Sequence, residues 1–235
     1  MNWNTTRALV TGASRGLGAA LAAALVARGA QVVGVARDAA ALRARLAPLG
    51  DRAHAVQGDV GDGADVQRII AVANTALGGV DLLVNNASTL GAVPLPLLLD
   101  LAPDTFARTL AVNTVGPLRL IHGLAGPMVL RGHGAIVNIS SDAAVEAYPE
   151  WGGYGASKAA LDHLSRTLAA ELDGTGVQVL AVDPGEMHTA MHAAALPDAD
   201  VSSLRDPAAV AEALLDRLAQ PASTVRTTLT LRSTP

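Results

Sequence analysis

The sequence predicts an α/β fold: one doubly wound parallel sheet with helices on both faces, in a single domain over residues 1–235. Three observations carry this. Short apolar runs of strand length alternate with stretches of helical period along the whole chain. The first apolar run feeds a glycine-rich turn that opens a helix. No composition break, repeat or low-complexity tract marks a linker, and 235 residues suffice for one domain with a sizeable core.

Residues 7–11 are a brief apolar strand. Gly12-Ala13-Ser14-Arg15-Gly16-Leu17-Gly18 follows, then a helical stretch to Arg28 that Gly29 stops. Glycines at 12, 16 and 18 permit a tight turn and let the backbone approach a pyrophosphate. The helix start adds unpaired N–H groups and a positive dipole end. Residues 31–36 are the second strand. An NAD-selective site would carry an acidic residue near its end to bond the ribose 2′-hydroxyl. Ala36 and Arg37 stand there instead. Arg15 and Arg37 are two guanidinium groups able to grip a 2′-phosphate by forked hydrogen bonds, which favours NADP(H) over NAD(H). Asp38 is adjacent, with a side chain expected to diverge from Arg37.

A helix follows over residues 39–46, broken at Pro48 and Gly50. Residues 53–57 are the third strand, ending in Gly58-Asp59-Val60. Residues 64–77 are helical by pattern, and residues 80–84 are the fourth strand, followed by Asn85-Asn86-Ala87-Ser88. An apolar loop spans 90–99. Residues 103–130 then alternate at helical period, with Asn113, a poor helix former, in mid-helix. Residues 135–141, Ala-Ile-Val-Asn-Ile-Ser-Ser, read as a buried strand that delivers a hydroxyl to its C-terminal end. The next helix runs through Ala170. Residues 177–182 are a strand ending in Asp183-Pro184-Gly185-Glu186-Met187-His188-Thr189. A loop insertion covers 186–206, residues 207–218 are a final helix, and residues 225–231 are an edge strand.

Composition excludes several classes. Half of the residues are apolar and 16% are charged, below the usual quarter. Such a chain buries much surface, with room for a subunit interface. The net charge is −4, there is no basic block, and only five residues are aromatic. A nucleic-acid surface needs clustered cations and stacking rings. There is no cysteine, and the six histidines lack metal-ligand spacing, so no metal is expected. Residues 1–7 are too short and polar for a secretion signal, and residues 17–27 too short to span a bilayer. The expected location is the cytoplasm, with no membrane partner.

The chemistry concentrates in residues 141–158. Tyr154 and Lys158 stand four apart, which stacks them on one helix face. Lys158 is the only lysine, against sixteen arginines, and lysine is a compact charge with a tunable pKa. At about 4 Å and an effective dielectric of about 20, an ammonium attracts a phenolate by roughly 4 kcal/mol, or about three pKa units. That would bring the phenol from about 10 to about 7, where it exchanges protons at neutral pH.

Ser141 lies thirteen residues before Tyr154, and Lys158 four after it. In this spacing, and in Gly-x-x-x-Gly-x-Gly at 12–18, the sequence resembles the short-chain dehydrogenase/reductase family, in its common Rossmann-type branch. The resemblance implies Ser141 as the residue bonding the substrate carbonyl, and Tyr154 as acid/base. It implies Lys158 as pKa tuner and ribose ligand, and Asn113 as holder of a water in the proton relay. It makes Gly12, Ser14, Arg15, Gly16, Leu17, Gly18 and Arg37 cofactor contacts, with Asp59 and Val60 at the adenine and Asn86 and Ala87 at its ribose. Pro184, Gly185 and Thr189 are implied on the nicotinamide side, and residues 186–206 as a mobile substrate loop. The family has Asn-Asn-Ala-Gly where Ser88 stands, which puts a tight backbone at 88 in doubt. The usual Asp-Gly-Gly end is absent. The expected protein is an NADP(H)-dependent oxidoreductase acting on a small carbonyl or secondary alcohol, as a homodimer or homotetramer. The alternative is a non-catalytic NADP-binding sensor or scaffold on the same fold. An epimerase or dehydratase would need a longer substrate domain. Residues 95–99, Trp151 and Met187 suggest a partly apolar substrate, whereas Asp142, Glu150 and Glu186 suggest a basic or hydroxylated one. His188 and His192 are expected to face solvent.

Overall fold

The alternation of apolar runs and helices resolves into one parallel sheet. The computed structural model describes residues 1–220 and 225–229. The strands are β1 (Arg7–Thr11), β2 (Gln31–Ala36), β3 (Ala53–Gln57), β4 (Leu82–Asn85), β5 (Gly134–Ile139), β6 (Val177–Asp183) and β7 (Arg226–Thr228). Their spatial order is β3-β2-β1-β4-β5-β6-β7. Leu9 of β1 pairs with Val33 on one side and Leu83 on the other. Strands buried on both faces read as continuous apolar runs, and residues split between faces with period two. Ala8, Val10, Leu82 and Val84 enter one core; Leu9, Leu83 and Ile136 enter the other.

Helices α1 (Gly16–Ala27) and α2 (Ala39–Leu46) cover the first face together with α8 (Pro207–Leu218), which contributes Val210, Leu214 and Leu215. Helix α1 is apolar all round because it is buried against both the sheet and α8. Helices α3 (Gly63–Leu77), α5 (Gly116–Arg131) and α6 (Gly152–Glu171) cover the second face. Side-chain caps start α2, α3 and α8: Asp38, Asp62 and Asp206 each accept first-turn amides. Asp38 Oδ1 accepts the Ala40 and Ala41 amides, each at 3.0 Å.

The continuous helix expected over 103–130 is interrupted. Helix α4 (Pro103–Leu110) passes through a π-helical turn at Ala111–Val115 into α5. Pro117 has no N–H to give the Asn113 carbonyl in the α pattern, which favours this widening. A Cβ on Gly116 would lie 2.5 Å from the Val60 carbonyl oxygen, so the turn seats directly on the loop after β3. The expected edge strand is present as β7, beside β6; residues 230 and 231 of that expectation lie outside the described residues. The segment 186–206 carries the short helix α7 (Ala190–Ala195) and is closed at its base. There Arg205 donates its amide to the Glu186 carbonyl at 3.0 Å and accepts from the His188 amide at 2.9 Å. Among the described residues, no helix is long and apolar enough to cross a membrane.

Candidate active site

In open α/β sheets the crevice lies beyond the carboxyl ends of the strands, where the strand order reverses. Here the reversal is between β1 and β4, and a cavity of about 790 Å³ opens there. Of the catalytic and cofactor-binding residues the sequence singles out, all but Gly18 and Asn113 line it, whereas residues 95–99 and Glu150, expected to bear on the substrate, do not. Gly18 is set back: a Cβ there would meet the Gly12 carbonyl oxygen at 2.3 Å, so it permits close packing of α1 on the loop. Gly12 (φ +70°) and Gly16 (φ +53°) take the left-handed conformation that glycine accepts without strain.

This end fits a dinucleotide. Arg15, the residue before α1, makes no side-chain cap, so the first-turn amides keep their hydrogen-bonding capacity for an anion. Thr11 ties the neighbouring loop, its hydroxyl accepting the Asn86 and Ala87 amides at 2.9 and 3.0 Å. The Asn86 side chain donates to the Thr11 carbonyl at 2.9 Å. Asp59 lines the cavity while paired with Arg108 and accepting the Gly61 amide at 2.8 Å. Thr189 faces the loop, its methyl where a Cβ on Gly16 would lie 3.3 Å away.

At the other end Ser141 follows β5, and Tyr154 and Lys158 stand one turn apart on α6. Gly155 allows the approach: a Cβ there would sit 2.6 Å from the Ala143 carbonyl oxygen. Helix α6 therefore packs directly on the turn carrying Ser141. A buried chain fixes its depth, with Asn85 donating to Asn138 and Asn138 to Ser165, each at 2.8 Å. Trp151 packs edge-on against Tyr154, ring centroids 5.7 Å apart. Asn113 is 1% exposed, behind the cavity wall. Its Oδ1 accepts from Ser88 Oγ at 3.2 Å and the Thr89 amide at 2.9 Å. Its Nδ2 donates to the Thr89 carbonyl and to Ser157 Oγ, both at 2.9 Å. Every hydrogen-bonding position of the amide is thus filled by protein.

The electrostatics correct one expectation. The Tyr154 phenol is not brought toward neutrality; burial pushes it up to about 12, with the nearby Ser141 and Ser88 hydroxyls opposing. Lys158 does not reach the hydroxyl. Its Nζ donates to the Ile139 carbonyl at 2.7 Å and lies 5.6 Å from the Tyr154 ring centroid. Lys158 is itself 2% exposed, and burial pulls its ammonium down to about 8, with Asp162 opposing. Desolvation is the largest cause for both groups. Ser88 also resolves the doubt about its backbone: it has no positive φ and needs no glycine. His188 is exposed as expected, but His192 is not: it lines the cavity with its Nε2 3.7 Å from Glu186.

A family model for short chain dehydrogenases matches residues 6–200. The chain belongs to the short-chain dehydrogenase/reductase family. It is 35% identical over 188 residues to the 2-(R)-hydroxypropyl-CoM dehydrogenase of Xanthobacter autotrophicus, covering 78% of this chain and 75% of that one. A metagenomic short-chain oxidoreductase in complex with NADP superposes with a TM-score of 0.82 at 30% identity, covering all of both chains. The 3-ketoacyl-(acyl-carrier-protein) reductase of Brucella melitensis complexed with NADH superposes at 0.86 and 28% identity, covering 95% of each chain. Members of the family thus use a nicotinamide cofactor of either kind, and this short-chain dehydrogenase is an oxidoreductase of a small molecule.

Three side chains that bear on the site were not legible as such. Asp142 takes the Ser141 hydroxyl proton at 2.8 Å and the Tyr148 hydroxyl at 3.0 Å. Arg226 of β7 donates to buried Asp162 at 2.8 Å and to the Ser141 carbonyl at 3.1 Å. Ser88 donates to Asn113 Oδ1 at 3.2 Å and, like Tyr154, lines the cavity. Their partners come from distant segments, and only Asp142, adjacent to Ser141, offered a sequence signal.

Proposed function

We propose that this short-chain dehydrogenase is an NADP(H)-dependent enzyme interconverting a ketone and a secondary alcohol, with Tyr154 as the acid/base. The observation that carries it is one cavity with the Ser141 and Tyr154 side chains on one wall and the uncapped start of α1, with Arg15 and Arg37, on the other. The residues that would hold the dinucleotide are Gly12, Ser14, Arg15, Gly16, Leu17 and Arg37, then Asp59, Val60, Asn86 and Ala87. Lys158, Pro184, Gly185 and Thr189 complete them at the nicotinamide. A bound reduced nicotinamide supplies hydride to the carbonyl carbon.

Tyr154 is neutral at pH 7, so it is loaded to give its proton to the carbonyl oxygen as that oxygen becomes an alkoxide. Ser141 orients the same oxygen once its proton turns from Asp142 to the substrate. Lys158, held on the Ile139 carbonyl, places positive charge behind the phenol and beside the ribose site. A relay water would meet the main-chain carbonyl of Asn113, since its amide is saturated. Support for NADP(H) is the presence of both Arg15 and Arg37 on the cavity and the engagement of Asp38 in capping α2. The segment 186–206, with Met187, Met191 and Leu196 on the cavity, forms the substrate wall. Exposed Val115 of the π turn and Leu118 of α5 support a homo-oligomer through that helix.

The test is oxidation of NADPH across a panel of ketones, followed at 340 nm. Turnover with NADPH in preference to NADH is expected, and Tyr154→Phe should lose at least about a hundredfold in kcat. Full activity in Tyr154→Phe would refute the assigned proton donor.

A further inference from the structure

The sheet stops holding the chain one residue before Ser141. The Ser140 amide donates to the Val182 carbonyl of β6 at 2.7 Å. Ser141 then opens a 3-10 turn, Asp142–Ala144. The bonds inside that turn are local. The Ala144 amide donates to the Ser141 carbonyl at 3.1 Å, and the Ser141 hydroxyl to Asp142 Oδ1 at 2.8 Å. Local bonds give the turn its shape, but they do not fix it against α6, where Tyr154 stands.

A residue from the far end of the chain supplies a long-range bond. Arg226 of β7 donates Nη2 to the second lone pair of the Ser141 carbonyl at 3.1 Å, and Nε to Asp162 Oδ2 at 2.8 Å. Asp162 lies on α6, eight residues after Tyr154, with a side chain 4% exposed. Its Oδ1 is buried and accepts no hydrogen bond among the described residues, so its hydrogen bonding rests on Oδ2 and Arg226. The guanidinium is planar, with its donors in a fixed fork. One rigid group thus spans the Ser141 carbonyl and the α6 carboxylate. The preceding β5 residues reach α6 directly: Asn138 donates to Ser165, and Ile139 accepts from Lys158. Ser141 reaches it through Arg226. Arg226 does not line the cavity, so what it does for the reaction passes through the residues it holds.

We propose that Arg226 is a positioning residue for Ser141: its fork ties the Ser141 carbonyl to Asp162 of α6 and so sets where the Ser141 hydroxyl stands relative to Tyr154. The inference rests on the function proposed above, in which those two hydroxyls meet one substrate oxygen. No bond is made or broken at Arg226 during the reaction.

Ser141-Asp142 is the one Ser-Asp step in the sequence. Protein labelled with 13C at the serine carbonyl and 15N at aspartate therefore gives a single correlated NMR signal, that of the Ser141 carbonyl. Arg226→Met should move it upfield, as a carbonyl does on losing a donor. In ketone reduction with NADPH, Arg226→Met should lower kcat about three- to tenfold and leave the KM for NADPH unchanged. In a Ser141→Ala background the same substitution should change kcat by less than about twofold, because its effect passes through the missing hydroxyl. A coincident carbonyl signal, a parental kcat, or the full loss repeated in Ser141→Ala would each overturn the proposal. Should Arg226→Met strand the buried carboxylate and fail to fold, Arg226→Met combined with Asp162→Asn takes its place, compared with Asp162→Asn alone. A wild-type protein that turns over no ketone defeats the proposed function, while the carbonyl signal still decides whether Arg226 holds Ser141.

Discussion

Lys158 carries its ammonium into the interior and satisfies it on one backbone carbonyl. Its depressed pKa means that the folded state binds the proton less tightly than the unfolded state does. The stability associated with its neutral form is full above about 10.5 and lost as pH falls through about 8. At pH 7 the charge is therefore a net cost. Lys158→Met should raise stability by about 1–2 kcal/mol at pH 7 while abolishing turnover. The gain stays modest because the neighbouring Asp162 loses a cation and is left with Arg226 as its ion pair among the described residues. Chemical denaturation at pH 7 and pH 10 checks this: the advantage should shrink at the higher pH. A gain of equal size at both would show that the desolvated charge is not its source.

At the level of elements, strand ends are pinned by one buried carboxylate. Asp81, just before β4, accepts Arg7 Nε and Nη2 from β1, each at 2.7 Å, and Arg131 from α5 at 3.2 Å. Burial alone would push its carboxyl up, yet the hydrogen bonds and charge of Arg7, with Arg131, hold it below the usual carboxylate range. Stability from Asp81 is thus present above the ordinary carboxyl pKa and lost as pH falls through the lowered one. Asp81→Asn should cost about 2–4 kcal/mol at pH 7, leaving two guanidinium groups without their partner. Urea unfolding should show the loss at pH 7 and a smaller one near pH 3. An unchanged midpoint at pH 7 would mean that the sheet ends are held by packing alone. The elements themselves were largely readable. Helices α2 and α8 stand where periodicity and prolines put them. The π turn at Asn113 was not anticipated, because helical period persists across it while the deviation arises from Pro117 and from contact with the Val60 loop.

For the whole molecule, the cavity joins the carboxyl ends of the strands to helices from both faces. Ligand binding there should stabilise the fold as a unit. At one hundred times its dissociation constant a nicotinamide dinucleotide contributes about 2.7 kcal/mol, which for a domain of this size is roughly 5–10 °C in Tm. Thermal-shift measurement should show this with NADP+ at lower concentration than with NAD+. Arg37→Glu should reverse that order, by removing one guanidinium from the 2′-phosphate position. Equal shifts in wild type would remove the argument for NADP(H) from Arg15 and Arg37.

The sequence by itself determined what is local in the chain: the glycine turn between β1 and α1, the alternation that makes a parallel sheet, and Tyr154 and Lys158 on one helix face. These depend on neighbours a few residues away, whose geometry is set by backbone periodicity. Only the tertiary structure decided how the site is charged and wired. It turned the Ser141 proton to Asp142, set the Ser88 hydroxyl on the Asn113 amide, and drew Arg226 from the last strand onto the Ser141 carbonyl. It also raised the phenol pKa, because the cost of burying a charge depends on everything packed around it, which residue spacing does not encode.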